Sequence, residues 1–223
     1  VNSAIRHAVG LGGVSVITLP GDVSDLKAVE HVPTYAPARP ATLAPNATDI
    51  EEAAALLNKA DKVAIFAGAG VEGAHDEVIA LADALKAPIG HSLRGKHFIQ
   101  YDNPFDVGMT GLLGYGAAAE GMNDADVLIL LGTDFPYDQF LPGTPTIQVD
   151  THPEKLGRRT DVGLAIHAQV KPFIEALLPH LRANRSDSFL KSKIKKHSEI
   201  MHAPVGAYTR NVEKMRPIHP EYA

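Results

Sequence analysis

Three glycines stand in the spacing G-x-G-x-x-G within the stretch FAGAGVEGAH, residues 66–75: Gly68, Gly70 and Gly73. Glycines at this spacing let a backbone approach a pyrophosphate, and the helix after them directs free amide groups at it. The same spacing also suits a tight strand-to-helix turn that binds nothing, because glycine tolerates backbone conformations closed to other residues. The motif alone therefore leaves both a dinucleotide site and an unliganded turn open.

The residue type that would select NAD is missing from its expected place. An ordinary NAD site adds an acidic residue about 20 positions further on, at the end of the next strand, where it holds the ribose hydroxyls. Here that position reads His91-Ser92-Leu93-Arg94 and contains no acid. Arg94 suits either a phosphate contact or a surface position. The sequence thus disfavours NAD bound in the usual way.

An aromatic segment, GTDFPYDQF at residues 132–140, comes after another predicted strand. Thr133 and Asp134 offer polar atoms, while Phe135 and Tyr137 offer flat faces, with a proline between them. Such a loop suits contact with a heterocycle, and it equally suits packing onto its own domain.

Two further segments could complete a binding site. Asp150 ends the predicted strand TIQVD, where it could accept from ribose hydroxyls or cap a helical turn predicted at 153–157. The segment YDNPFDVGMTGLLGYG, residues 101–116, is a long predicted loop, and loops of this length in compact domains are usually functional. Because parallel strands end at one rim of their sheet, these segments are expected to converge on a crevice long enough for a dinucleotide.

The elements that must position these segments are short apolar strands alternating with helices. The sequence Thr48-Asp-Ile-Glu51 is typical of a capping box and predicts the start of the first helix of the main unit. An amphipathic helix predicted at 170–181 is the last element of that unit. Strands are predicted at 14–18, 62–68, 87–93, 126–132, 146–150 and 162–168. This alternation predicts an α/β, Rossmann-like three-layer domain with a mostly parallel sheet and helices on both faces.

Composition narrows the classes of function. The chain has 223 residues, no cysteine and a net charge of −5, which excludes cysteine nucleophiles and cysteine-bound zinc and argues against a nucleic-acid partner. The lysine-rich run KSKIKK, residues 191–196, is interpreted as a solvated helix face. No close metal-ligand spacing and no G-x-S-x-G is present, so we expect neither a catalytic residue nor a metal ligand in this chain.

Taken in order, these segments resemble the middle of a thiamine-diphosphate-dependent enzyme. The resemblance covers essentially the whole chain and rests on GGVSVITLPGDV, AGAGVEGAH, APIGHSLRGK, YDNPFDVGMTGLLGYG, ADVLILLGTDFPYDQFLP, IQVDTHPEKLGRRTDV and IHPEY. Within the family, YDNPFDVGMTGL and LGTDFPYDQF look closest to the flavin-containing pyruvate dehydrogenase (quinone), or pyruvate oxidase, branch. The glycine turn is shared much more widely.

The resemblance implies a domain organisation. Residues 1–22 would end a pyrimidine-binding domain, and 23–45 would form a linker with prolines at 33, 37, 40 and 45. Residues 46–182 would be the central FAD-binding domain, and 183–223 would run as a helical linker into a diphosphate-binding domain. The chain would then be a piece of a longer polypeptide.

The resemblance also implies which residues contact FAD. Carried over position by position, the contacts fall on Thr110, Gly111, Leu112 and Leu113, on Thr133, Asp134, Phe135, Pro136 and Tyr137, and on Asp150, with Gly68, Gly70 and Arg94 as additions. Thiamine diphosphate and Mg²⁺ would bind elsewhere in the complete enzyme, since the only Gly-Asp here, Gly21-Asp22, is followed by valine.

The complete enzyme would oxidatively decarboxylate pyruvate to acetate and CO₂ and pass electrons through FAD to a quinone, whereas this chain alone would be inactive. A homotetramer is implied, located in the cytoplasm, with the complete enzyme peripheral at the inner membrane face.

Three alternatives stay open at this stage. Acetolactate synthases of the same family hold FAD in a mainly structural role, and decarboxylases of the family leave this domain empty. A sirtuin-type NAD-binding domain shares the GAG turn, but it normally adds a Gly-Ile-Pro-Asp-Phe-Arg run and a four-cysteine zinc module that this sequence lacks. A scaffold that only packs subunits would bind no cofactor at all.

Overall fold

The computed structural model describes residues 1–28, 39–183 and 185–209, with the backbone alone described for 203–209. The chain divides by its contacts into two units, Val1–Thr42 and Leu43–Ala223. Much of the predicted linker and the predicted start of a third domain lie outside the described residues. The predicted domain boundaries stay predictions.

The first unit contains two helices, α1 (Asn2–Leu11) and α2 (Gly21–Ser24). The prediction of a buried strand at 14–18 is wrong for this structure, because the segment is irregular and Val14 and Val16 are 90% and 86% exposed. β-Branched residues favour a strand, but a strand forms only when a neighbour takes up its backbone hydrogen bonds. No described residue pairs with this segment.

The second unit is built on a seven-stranded sheet that confirms the predicted fold class. Its strands are β1 (Val63–Ala67), β2 (Ile89–His91), β3 (Asp106–Met109), β4 (Tyr115–Gly116), β5 (Val127–Leu131), β6 (Thr146–Asp150) and β7 (Leu164–His167). Their order is β4-β3-β2-β1-β5-β6-β7, and every pair is parallel except β3 with β4. Six parallel strands thus adopt the doubly wound order 3-2-1-4-5-6.

Among the described residues, six helices accompany the sheet: α3 (Ala47–Lys59), α4 (His75–Leu85), α5 (Leu93–Ile99), α6 (Ala118–Asn123), α7 (Val170–Leu177) and α8 (Ser188–Thr209). Successive strand residues point to opposite faces, so Ile65 joins the core beneath α3, α4 and α7, while Phe66 joins a second core with Met122 of α6. The result is three layers. No helix among the described residues is long and apolar enough to cross a membrane.

Three predicted local features differ from the structure. Helix α3 begins one residue before Thr48, with Asn46 at its N-cap, and no side chain caps its amides, so the predicted capping box does not form. The predicted loop 101–116 contains β3 and β4, and it is irregular only before β3, at residues 101–105, and between the two strands, at residues 110–114. The predicted helix 170–181 is α7 followed by a 3₁₀ turn at Leu178–His180, where Pro179 supplies no amide hydrogen.

Candidate functional site

The strand order places a topological switch point between β1 and β5. Connections leave these two central strands toward opposite edges of the sheet, which opens a crevice beyond their carboxyl ends. The loops after β1, β2, β3, β5 and β6 all lie on this rim. The predicted cofactor-binding residues belong to these five loops and strand ends.

The glycine turn after β1 packs directly against the residue at the end of β5. The amide of Gly68 donates to the carbonyl of Leu131 at 2.8 Å, and the amide of Gly70 donates to that of Gly132 at 2.9 Å. A Cβ at Gly70 would lie 2.6 Å from the Cα of Gly132, so only glycine fits this contact. Close backbone packing therefore explains both glycines, and their contact with a cofactor stays a prediction.

The glycine turn also differs from a pyrophosphate-binding turn because no long helix starts directly after it. A short 3₁₀ turn, Ala69–Val71, comes immediately after Gly68, and α4 begins only at His75. Gly73 has a positive φ of 72° with open space around it, which suits a bend between these two helical pieces.

The loop after β3 meets the aromatic loop after β5. Gly111 has a φ of 117°, and a Cβ on it would lie 3.4 Å from Phe135 Cζ and 3.5 Å from Tyr137 Cδ2. Thr110 beside it is buried, whereas Leu112 and Leu113 are 69% and 70% exposed. The structure thus brings two predicted binding segments into contact and leaves an apolar tip above them.

The aromatic loop is anchored in the core by one ring. Phe135 is 4% exposed and packs edge-to-face with Phe66 of β1, with ring centroids 5.0 Å apart. Tyr137 is half-buried and packs edge-to-face on Phe135 at 5.5 Å, and Pro136 between them is exposed. Phe135 therefore fixes the loop, and Pro136 and Tyr137 are the members accessible to a ligand.

Asp134 links the loops after β5 and β6. Its Oδ1 lies 3.3 Å from Arg159 Nε, which donates a hydrogen bond to it, and its Oδ2 lies 3.5 Å from a guanidinium nitrogen of Arg158. Thr133 next to it is buried, and its Cβ lies 2.5 Å from the position of a Cβ on Gly68.

A buried glutamine on β6 connects the same two loops through the backbone. The Nε2 of Gln148 donates to the carbonyls of Thr133 and Lys155 at 3.2 and 3.3 Å, and its Oε1 accepts from the amide of Gly157 at 2.8 Å. Both polar atoms of the Gln148 side chain are hydrogen-bonded, so this residue ties the loops after β5 and β6 to each other.

Asp150 ends β6 with its carboxylate at the rim. Its Oδ1 accepts from the amide of His152 at 2.9 Å and lies 3.4 Å from His152 Nδ1. His152, and not Asp150, is the N-cap of the 3₁₀ turn Pro153–Lys155. The Asp150 side chain is only 8% exposed, and among the described residues its Oδ2 accepts no hydrogen bond, so this oxygen keeps its capacity to accept from a ligand.

Arg94 lies in the first turn of α5, just beyond β2, with its side chain exposed. Ser92 caps this helix by accepting from the amide of Gly95, and its own amide donates to Ala67 of β1. His91, at the position of the acid in an NAD site, is completely buried and lies 3.4 Å from Asp106. Arg94 is thus accessible for an anionic ligand, and His91 is not.

Sequence reasoning missed Arg158, Arg159 and Gln148, which hold the loops in place. The arginine pair could have been noticed, because two adjacent cations come shortly after a strand end that carries an acid. Gln148 left a weaker signal, a single polar residue inside the apolar run TIQVD. Within the described ranges, no group of three His, Asp or Glu side chains could hold a metal ion.

The fold and the loops that converge at its crevice define a Rossmann-like α/β domain. The family description "Thiamine pyrophosphate enzyme, central domain" matches residues 50–177. The chain therefore belongs to the thiamine pyrophosphate enzyme family through its central domain.

Curated relatives agree with this membership. The chain is 46% identical to an uncharacterized 42.6 kDa protein of Pseudomonas amyloderamosa, over 85% of the chain and 49% of the relative. It is 32% identical to the putative thiamine pyrophosphate-containing protein YdaP of Bacillus subtilis, over 86% and 34%. It is 31% identical to a probable acetolactate synthase large subunit of Methanocaldococcus jannaschii, over 78% and 32%. The chain spans half or less of these relatives.

Thiamine diphosphate is the cofactor that the family implies. The described residues include no cluster of carboxylates or imidazoles for its metal ion, and the region matched is the central domain alone. The described residues therefore do not fit thiamine diphosphate and its metal ion, and the site they can form is the crevice at the carboxyl ends of the strands.

Proposed function

We propose that the crevice binds FAD and that the chain is the flavin-binding central domain of a thiamine-dependent oxidoreductase. The observation that carries this proposal is the contact between the loop after β3 and the aromatic loop after β5. Gly111 packs so closely on Phe135 and Tyr137 that a Cβ on it would touch both rings. This contact lies beside the switch point of a doubly wound sheet.

Three parts of FAD find suitable chemistry on this rim. Asp150 offers a carboxylate oxygen to ribose hydroxyls, and Arg94 offers a positive charge to the pyrophosphate. The exposed Leu112 and Leu113, with Tyr137, offer apolar surface to a flat ring system. FAD would supply electron transfer, and this chain's residues would bind the cofactor and hold it in place.

For the complete protein we propose the oxidative decarboxylation of pyruvate to acetate and CO₂, with a quinone as the final electron acceptor. Support comes from the segments YDNPFDVGMTGL and LGTDFPYDQF, which resemble that branch and form the two loops in contact. We further propose a homotetrameric cytoplasmic enzyme that can associate with the inner membrane face.

A second candidate is an acetolactate synthase type of enzyme, in which the same crevice would hold FAD for a structural purpose. The observation that favours it is the set of relatives named acetolactate synthase, 26–31% identical to this chain. The two candidates share the binding site and differ in whether the flavin changes its redox state.

The binding proposal is tested by titrating FAD into the purified chain, following flavin fluorescence and thermal stability, with NAD as the control. A ligand that binds only the folded state adds about 2.7 kcal/mol of stability at a hundredfold excess over Kd. Asp150→Asn keeps the oxygen that accepts from His152 but removes the charge, so it should weaken FAD binding about tenfold. Glu51→Gln, an exposed carboxylate on α3, is the matched control.

FAD-specific stabilisation that Asp150→Asn weakens and Glu51→Gln leaves unchanged would support the proposal. Equal effects of NAD and FAD, or no FAD effect on either this chain or the complete protein, would refute it. In the complete protein, bleaching of the flavin by pyruvate and its recovery on adding a quinone would support the oxidoreductase. Formation of acetolactate without bleaching would favour the second candidate.

A further inference from the structure

A cavity lies at the rim of the sheet opposite the crevice, where β1 and β5 begin. It has a volume of about 410 Å³ and is bordered by Lys62 before β1, by Asp124 before β5, and by the segment that leads into α8. Its lining contains four cationic side chains, three serines, two aspartates and one phenyl ring. A cavity of this size and mixed lining is within the range of small-molecule sites, which is about 300–1,000 Å³.

Arg185 forms the inner wall of the cavity. Its guanidinium donates to the carbonyls of Leu57 and Ala60 at the end of α3, which fixes the plane of the group. Its Nε is buried and has no hydrogen-bond partner among the described residues. Desolvation, together with the positive charge of Arg182, lowers the pKa of Arg185. Arg185 thus borders the cavity with a desolvated charge that Asp61 offsets only in part, since the net direction of its pKa is still downward, and a bound anion would add to that compensation.

The carboxylates around the cavity are already engaged by other cations. Arg182 lies 3.3 Å from Asp61, whose side chain is largely in solvent, and it also donates to the carbonyl of Ala60. Lys193 lies 2.5 Å from Asp124 and 2.8 Å from Glu120. Among the described side chains no carboxylate forms an ion pair with Arg185, and Asp61 acts on it only at longer range, so this side of the cavity keeps a net positive charge.

The start of α8 adds hydroxyl groups and a helix N-terminus to the same wall. Ser186 and Ser188 lie at the beginning of this 22-residue helix, where Ser186 Oγ accepts from the amide of Ser188 at 3.3 Å and donates to Ser188 Oγ at 3.0 Å. Phe189 is the next residue, with Lys193 Nζ 5.6 Å from its ring centroid. Helix N-termini favour anions, and the serine hydroxyls can turn to donate to one.

We propose that this cavity binds a small phosphorylated molecule, with its phosphate between Arg182, Arg185 and the serines and its body against Phe189. Phosphate is favoured over a carboxylate because two guanidinium groups and two hydroxyls offer more donors than two oxygens can accept. The site is separate from the flavin crevice, since it lies at the opposite ends of the strands. Binding would tie the start of α8 to the end of α3.

The test is calorimetric titration of the purified protein with inorganic phosphate, against sodium chloride at equal ionic strength. NMR of the arginine Nε–H groups reports Arg185 directly, because phosphate should shift its resonance as the site fills. Arg182→Gln should weaken phosphate binding about tenfold. Lys195→Gln, an exposed lysine on α8 that lies outside the cavity lining, should leave binding unchanged. Thermal unfolding of each variant checks that it is folded.

A second probe, phenyl phosphate, tests the apolar wall. It should bind more tightly than inorganic phosphate, and Phe189→Ala should remove that advantage while leaving inorganic phosphate binding intact. The proposal would be overturned by the absence of saturable phosphate binding, by unchanged binding in folded Arg182→Gln, or by an equal loss in Lys195→Gln. The last result would indicate a general charge effect.

Discussion

Replacing Gly70 by alanine tests whether the glycine turn exists for packing or for a cofactor. The added Cβ would lie 2.6 Å from the Cα of Gly132, whereas carbon atoms rest about 3.5–4.0 Å apart. The turn must then move by about 1 Å away from β5. Gly132 resists moving instead, because its amide donates to the carbonyl of Val149 at 2.8 Å and its carbonyl accepts from the amide of Gly70 at 2.9 Å.

This displacement has two costs that can be added. Overpacking of this kind costs about 1–3 kcal/mol, and the hydrogen bond from Gly70 to Gly132, 2.9 Å long, would weaken by about 1 kcal/mol. We therefore expect Gly70→Ala to lower the free energy of unfolding by about 2–4 kcal/mol in the absence of any ligand.

Urea unfolding of the FAD-free protein measures this change. Gly143→Ala is the matched control, because no atom lies within 4 Å of its Cβ position and its φ is not positive, so its stability should stay within about 0.5 kcal/mol of the parent. If Gly70→Ala were as stable as the parent and yet failed to bind FAD, the packing explanation would be refuted and the glycine would belong to the cofactor site.

Three further changes test other contacts. Gln148→Leu leaves the carbonyl of Thr133 and the amide of Gly157 without these hydrogen bonds and should cost about 2–4 kcal/mol in urea unfolding; an unchanged midpoint would contradict the bridging role of Gln148. The hydrogen bond from Lys171 lowers the pKa of Glu77, and the pKa of Lys171 is raised in turn. The stability difference between the parent and Glu77→Gln should therefore be full between about pH 4.5 and 10.5, shrink as pH falls through the lowered pKa of Glu77, and shrink as pH rises through the raised pKa of Lys171; a difference that does not shrink on acidification would be inconsistent. Lys193 is buried, and its partners are the carboxylates of Glu120 and Asp124. Removing both carboxylates should destabilise the protein more than Lys193→Met does, because loss of the carboxylates leaves a buried charge without a partner; the reverse order in thermal unfolding would contradict this.

The central strands were predictable because a strand that is buried on both faces requires a continuous run of apolar residues. The runs around β1 and β5 are continuously apolar, and both form strands at the predicted places. The shortest strands were harder, since β4 has two residues and its pairing with β3 is set by contacts distant in sequence. The segment 14–18 has high strand propensity but forms no strand, because propensity alone does not supply a neighbouring strand to pair with.

The candidate site was predictable as a set of strand ends but not in its internal contacts. Parallel topology places Asp150 and the loop around Tyr137 on one rim whatever their side chains do. By contrast, nothing local in the sequence indicates that Gly70 packs on Gly132, or that Lys193 in the lysine-rich run is buried. The prediction of a solvated face for that run is wrong at Lys193, because it reaches back to Glu120 and Asp124 on the neighbouring turn and helix.

The rim of the crevice is divided between fixed loops and one projecting tip. The loops after β1, β5 and β6 are joined by the contact of Gly70 with Gly132 and by the hydrogen bonds of Gln148. The tip after β3 instead exposes Leu112 and Leu113, which a folded domain gains nothing by presenting to water. If the proposed cofactor lies across the fixed loops and covers this apolar tip, the surface that adds no stability in its absence would contribute affinity in its presence.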